Sequence, residues 1–435
     1  MSELHRVILS LIERVESEPV LEGTRLSEVV TIPSDFSGID WLEAQPLFPK
    51  FYWQSRDSRE EVVVLDQLHS FTDPLAAYTI LGENQRVWGG KAFDHEQSKT
   101  QRQSCYFFLP IIELSRQDEI WTLNVNLSND PQRILHALYQ LKMDYSEIPP
   151  LQTQIGTIHY SPQFNEWQHI VNKALTAINH DEFEKVVLAR KTRVELPAPI
   201  RASHLLKASR AINHNSFHFL LSFSDHHGFT GSTPERLYSR IDDMLETEAL
   251  AGTVGRSDNP DDDARLSQWL LSDDKNLREN QIVVDDIVQC LAPHTESIDV
   301  QTDVQLIRLR KVQHLIRRIH ARLKLGIKGI HLLSALQPTA AMAGLPREDA
   351  IQFIRMNEPF TRGWYSGSVG YFGHEKAEFC VAIRSALIND NTVKLYAGAG
   401  IVTGSEAKYE WQELNRKTAT LLSLISEHND NEEPA

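Results

Sequence analysis

Lys185 opens the run Lys185-Val186-Val187-Leu188-Ala189-Arg190. In a strand, successive side chains alternate faces, so Lys185 shares a face with Val187 and Ala189. An amine on an apolar face is desolvated, which disfavours its charged form and makes it usable as a general base near neutral pH. The plainer reading is a strand-end lysine whose head snorkels to water. Glu235 lies in Gly231-Ser232-Thr233-Pro234-Glu235-Arg236, a turn after an apolar strand. A carboxyl in a tight, part-buried turn can serve as a general acid; a surface charge beside Arg236 is the plainer alternative. Glu410, Glu413 and Lys417 stand at i, i+3 and i+7, one face of a helix. Two carboxylates and an ammonium there can hold a hard cation and an anionic ligand together, or form only a solvated face. Glu279, early in a helix with apolar Ile282, Val283 and Ile287 behind it, could add an oxygen ligand or be ordinary surface charge. Tyr396-Ala397-Gly398-Ala399-Gly400-Ile401-Val402 ends a strand in small residues. Backbone N–H groups exposed in such a stretch can cradle a carboxylate. Gly252-Thr253 and Arg384 could do similar work, although a glycine turn without a ligand explains any one of them taken singly.

The elements that must position these groups are visible as periodicities. Leu4, Val7, Ile8, Leu11 and Val15 have helical spacing. Short β-rich segments follow at 26–32, 51–54, 62–65, 87–88, 105–109 and 121–127, then an amphipathic run at 131–142. Pro149-Pro150 interrupts regular structure and suggests a division between residues 1–150 and 151–425. Beyond it, helices are expected at 164–178, 202–212, 261–271, 274–291 and 408–425. Strands are expected at 184–194, 217–223, 367–372, 379–386 and 392–397. Strands and helices mix without a strict βαβ order, so the expected class is α+β, with helices covering extended sheets.

Several chemistries are missing. There is no GxxxxGK[ST] or HExxH, and Gly398-Ala399-Gly400 is only half a dinucleotide fingerprint. The three cysteines, Cys105, Cys290 and Cys380, form no CxxC and indicate neither a disulfide framework nor a zinc site. No signal peptide or membrane span is legible, so the cytoplasm is the expected location. The net charge of −15 over 435 residues argues against nucleic acid and anionic membranes as partners. Four of those charges, Glu427, Asp430, Glu432 and Glu433, fall in residues 426–435, which read as a disordered acidic tail. An anionic ligand would therefore require a local reversal of the field.

Seven segments together resemble the chorismate-utilising enzymes: 185–190, 231–237, 250–253, 273–280, Gln337-Pro338-Thr339-Ala340, 396–402 and 410–417. They occur in that family's order across roughly residues 155–425. Within the family the chain is similar to the menaquinone-type isochorismate synthases. The resemblance implies one large α+β fold of two antiparallel sheets packed as a sandwich with helices outside. The first 150 residues would form its variable N-terminal portion.

The resemblance also implies roles. Lys185 matches the base that activates water for attack at ring C2, and Glu235 the acid that protonates the departing C4 hydroxyl. Glu279 and Glu413 match direct Mg²⁺ ligands, and Glu410 a carboxylate acting through water. Arg384, Gly398 and Lys417 match the groups holding the enolpyruvyl carboxylate, Gly252 and Thr253 line the ring side, and Tyr396 and Gly400 belong to the same binding stretch. The implied substrate is chorismate and the implied cofactor Mg²⁺, in a monomer. A basic Lys185 implies water rather than ammonia as nucleophile, and so no glutamine amidotransferase subunit. Asn276 stands where several members carry an acid, and Gln337 replaces the histidine of siderophore-type members. Salicylate synthase, which goes on to eliminate pyruvate, and a catalytically silent chorismate-binding protein are the alternatives.

Overall fold

The computed structural model describes residues 3–18, 21–94 and 104–425. The acidic tail lies outside the described residues. Strand Cys105–Gln117 is the branch point of the sheet. One of its edges pairs with Glu60–Phe71. The other pairs with Val87–Lys91 near its start and with Ile120–Asn126 near its end. Two wings leave from it. The first runs through Glu60–Phe71, Lys50–Gln54, Phe217–Ser224, His227–Thr233, Ser385–Asn389, Thr392–Ile401 and Lys185–Glu195. The second runs through Val87–Lys91, Ser368–Phe372, Lys376–Val381, Arg236–Ile241, Met244–Gly255 and Val312–Leu323. The two expected sheets are thus one hydrogen-bonded network, and every pairing among the described residues is antiparallel.

The wings fold face to face over an aromatic core. Phe51, Trp53, Phe217 and Phe219 of the first wing meet Trp88, Val369, Tyr371 and Cys380 of the second. The Phe51 and Trp88 rings lie 5.3 Å apart, and Trp53 and Tyr371 meet edge-on at 6.2 Å. Burial of each such ring contributes roughly 2–3 kcal/mol, with about 0.5–1.5 kcal/mol more from each ring pair. Strands from before residue 150 sit in both wings, so this part of the chain shares the core.

The sequence pattern suggests one strand over 379–386; the structure has two, Lys376–Val381 and Ser385–Asn389. They belong to different wings. Arg384 between them adopts a left-handed backbone with φ of 51°, which breaks the strand. The chain therefore crosses between wings here, and it also crosses between Thr233 and Arg236. The two crossovers are tied together: Ser232 N–H donates to the Arg384 carbonyl at 3.2 Å, and Val381 N–H to the Glu235 carbonyl at 3.0 Å.

Helices Phe164–Asn179, Arg347–Asn357 and Ala407–Leu422 cover the outer face of Lys185–Glu195 and Thr392–Ile401 through Trp167, Phe353 and Leu414. Helix Asp274–Leu291 buries Val283, Val284, Ile287 and Leu291 beneath the second wing. Asp273 caps it, accepting from Asn276 N–H at 3.0 Å. Sequence reasoning assigns no element to Val312–Leu323, because its apolar Val312, Leu315, Ile316, Ile319 and Leu323 also fit a helical period. Pairing with Met244–Gly255 decides for a strand.

Candidate active site

A cavity of about 490 Å³ opens between the wings where the crossovers meet. Lys185, the first residue of its strand, points into it and is only 1% exposed. Its Nζ donates to Glu279 Oε1 at 2.9 Å. Gly400, on the paired strand, is small for a steric reason: a Cβ there would lie 3.1 Å from Lys185 Cε and 3.3 Å from Glu279 Oε1. At Gly398 a Cβ would lie 2.9 Å from the Tyr365 hydroxyl. The two glycines keep the cavity floor open beside the amine and the phenol.

Glu235 sits on the first crossover, 5% exposed, and lines the same cavity. Burial raises its pKa to about 8, helped by Glu248 and opposed by Lys185 and Lys417. Burial thus favours the protonated form of this carboxyl toward neutral pH. Arg384 lines the cavity from the second crossover, and burial lowers its pKa below the usual arginine value. Its Nη1 donates to the Lys417 carbonyl at 3.3 Å.

Glu410, Glu413 and Lys417 line the cavity from helix Ala407–Leu422. Lys417 Nζ donates to the Gly398 carbonyl at 2.8 Å and pairs with Glu413 Oε1 at 2.5 Å. Burial pushes Glu413 upward, but Lys417, together with Arg416 and Arg384, outweighs it and the net pKa falls. Glu410 is raised to about 7, first by burial and then by Glu413. Among the described residues, no three His, Cys, Asp or Glu side chains gather as a metal cluster. Glu279 and Glu413 turn instead to Lys185 and Lys417. The donor chemistry still suits a hard cation: the carboxylates of Glu279, Glu410 and Glu413 line one cavity, and at Glu410 burial and the Glu413 charge outweigh Lys275 and Lys417.

Gly252, also on the cavity wall, has φ of +86°, and a Cβ would press on Leu315 and Asn276. Thr253 N–H donates to Asn276 Oδ1 at 3.2 Å, so this asparagine holds the glycine–threonine turn. Tyr396 stacks on Tyr365 with centroids 5.1 Å apart. All twelve residues singled out from sequence line this one cavity. Two further side chains join them. His314 lies 2.7 Å from Thr253 Oγ1 through Nδ1, and burial with Arg384 and Lys417 nearby keeps its pKa far below the usual histidine value. Tyr365 lines the cavity, its pKa raised by burial. His314 sits on a strand without motif, and only its pairing opposite Thr253 reveals it. Gln337, which differs from the siderophore-type pattern, does not line the cavity; its amide donates to the Ala92 carbonyl at 2.7 Å.

The family model described as chorismate binding enzyme matches residues 73–426. The chain belongs to the chorismate-binding enzymes. A curated member of similar length, isochorismate synthase MenF of Escherichia coli (strain K12), is 40% identical over 98% of this chain and 99% of its own. The solved structure of the menaquinone-specific isochorismate synthase MenF from Escherichia coli superposes with a TM-score of 0.89. It covers 98% of this chain and 100% of that one at 37% identity. Anthranilate synthase component I from Streptococcus pneumoniae, at 20% identity and a TM-score of 0.65, shares the fold. The chorismate-binding fold is therefore this chain's fold, mixed helix and antiparallel sheet with the sheet left unclosed. Among the described residues no helix is long and apolar enough to cross a membrane.

Proposed function

We propose that this chain is an isochorismate synthase, converting chorismate to isochorismate as a single chain without an amidotransferase partner. The observation that carries the proposal is that a buried amine, Lys185, and a buried carboxyl, Glu235, line one cavity, with the carboxyl's pKa raised by burial. The reaction replaces a hydroxyl at C4 with one at C2 while the ring double bonds shift. Water is a poor nucleophile and hydroxide a poor leaving group. Lys185, as the neutral amine released from Glu279, accepts the proton of the attacking water and becomes an ammonium, and Glu235 gives its proton to the departing C4 oxygen, which leaves as water. Each such proton transfer is typically worth about 10²–10⁴-fold.

The remaining residues bind and orient. Arg384, Lys417 and the backbone around Gly398 and Gly400 receive the enolpyruvyl carboxylate, with Tyr396 beside them. Gly252 and Thr253, backed by His314, face the ring. Glu279 and Glu413 would hold Mg²⁺, with Glu410 acting through water. The ion would supply a positive charge for the ring carboxylate and polarise the conjugated ring. The names of the similar proteins support this reading: isochorismate synthase MenF for the activity, and the menaquinone-specific isochorismate synthase of the solved structure for a place in menaquinone biosynthesis.

Purified protein incubated with chorismate and Mg²⁺ should form isochorismate without releasing pyruvate. Stoichiometric pyruvate with fluorescent salicylate would assign salicylate synthase instead. No turnover, with chorismate bound, would assign a binding protein.

A further inference from the structure

The turn that carries Glu235 is held from outside the cavity by two residues that do not line it. Arg56 lies in the hairpin between Lys50–Gln54 and Glu60–Phe71, in the N-terminal part of the chain. Its guanidinium grips Glu248 with a two-pronged contact, Nη1 to Oε1 at 2.5 Å and Nη2 to Oε2 at 2.8 Å. The same Nη1 donates to the Pro234 carbonyl at 2.8 Å. Glu248 Oε1 in turn accepts from Arg236 N–H at 3.0 Å. The peptide groups before and after Glu235 are therefore both fastened to one buried ion pair. Phe217 packs under the guanidinium at 5.6 Å, and the Glu248 side chain is 1% exposed.

We propose that Arg56 and Glu248 are positioning residues for Glu235, clamping its backbone on both sides and setting the charge its carboxyl faces. This rests on the reading of Glu235 as the acid. A bidentate Arg–carboxylate contact fixes orientation as well as charge. The groups acting on Glu235 come from several elements. Glu248 on Met244–Gly255 favours the protonated form, and Lys185 and Lys417 favour the ionised form. Tyr365 and Cys380 also lie within its electrostatic reach. Arg56 neutralises Glu248, so the pair moderates the repulsion that Glu235 feels.

The test is an infrared pH titration of the protonated carboxyl band, identified by its loss in Glu235→Gln. In Glu248→Gln the midpoint should fall by about 1 pH unit, and in Arg56→Met it should rise by about as much. General loosening of the fold would not move the two in opposite directions. Arg56→Lys, which keeps the charge and loses the fork, should leave the midpoint in place and lower kcat with KM little changed. Midpoints unmoved in Glu248→Gln, or shifted the same way in both variants, would overturn the inference. If Arg56→Met does not fold, Glu248→Gln and Arg56→Lys decide: an unmoved midpoint in the first, or an unchanged kcat in the second, overturns it. Absence of any carboxyl band at neutral pH lost in Glu235→Gln would instead remove the acid assignment itself.

Discussion

Glu235 binds its proton more tightly in the folded protein than in the unfolded chain, and this has a stability consequence. Its pKa rises from 4.5 to about 8 through burial. Below pH 4.5 both states are protonated and nothing is lost. As pH rises toward 8, the unfolded chain ionises while the folded carboxyl stays neutral, so stability falls by at most about 1.4 kcal/mol per pH unit. Glu235→Gln removes that penalty. The variant should melt above the wild type by a margin that grows between about pH 4.5 and 8, measured by calorimetry across that range. A margin independent of pH would show that the carboxyl is not held neutral. The same variant should lose turnover by about 10²-fold or more while still binding chorismate, and so should Lys185→Ala. Lys185 was legible from strand alternation and from the segments around it. Its contact with Glu279 was not, because the two are 94 residues apart and only the fold brings them to 2.9 Å.

At the scale of elements, the site exists because the chain changes wing twice and the two crossovers bind each other. Glu235 and Arg384 sit at those points. The sequence pattern saw a turn at the first but ran a continuous strand through the second, since nothing in Val381-Ala382-Ile383-Arg384-Ser385 marks a left-handed residue. The strand Thr392–Ile401 contributes by what it omits. Gly400→Ala should lower kcat on the order of 10–100-fold, because its Cβ would crowd Lys185 Cε, with a melting temperature close to wild type. Wild-type kcat would mean that the amine has room to spare. Helix Ala407–Leu422 contributes charge. Its i, i+3, i+7 face was legible from spacing alone, and so was an i,i+4 pair such as Glu413–Lys417, which the spacing offered as the alternative to a cation site; that the pair faces the cavity was not. Adding Mg²⁺ to the wild type should raise its melting temperature, as any ligand bound only by the folded state does, and Glu413→Ala should abolish most of that rise. An equal rise in the variant would count against Glu413 as a ligand.

For the whole molecule, the net charge of −15 reads at first against an anionic ligand. The fold resolves this by segregation: Lys185, Arg384 and Lys417 are gathered at one cavity with the three carboxylates proposed to hold a cation. The α+β class and the order of the site segments were legible in sequence. The joining of both wings through Cys105–Gln117 was not, since register between distant strands is set by the packing of the aromatic core. The central claim is that Lys185 activates a water for attack at C2 while Glu235 releases the C4 oxygen. Mass spectrometry of isochorismate formed early in the reaction in H₂¹⁸O tests it most directly. One ¹⁸O at C2 is the predicted result; isochorismate with no label, its C4 hydroxyl having migrated within the ring, would contradict it.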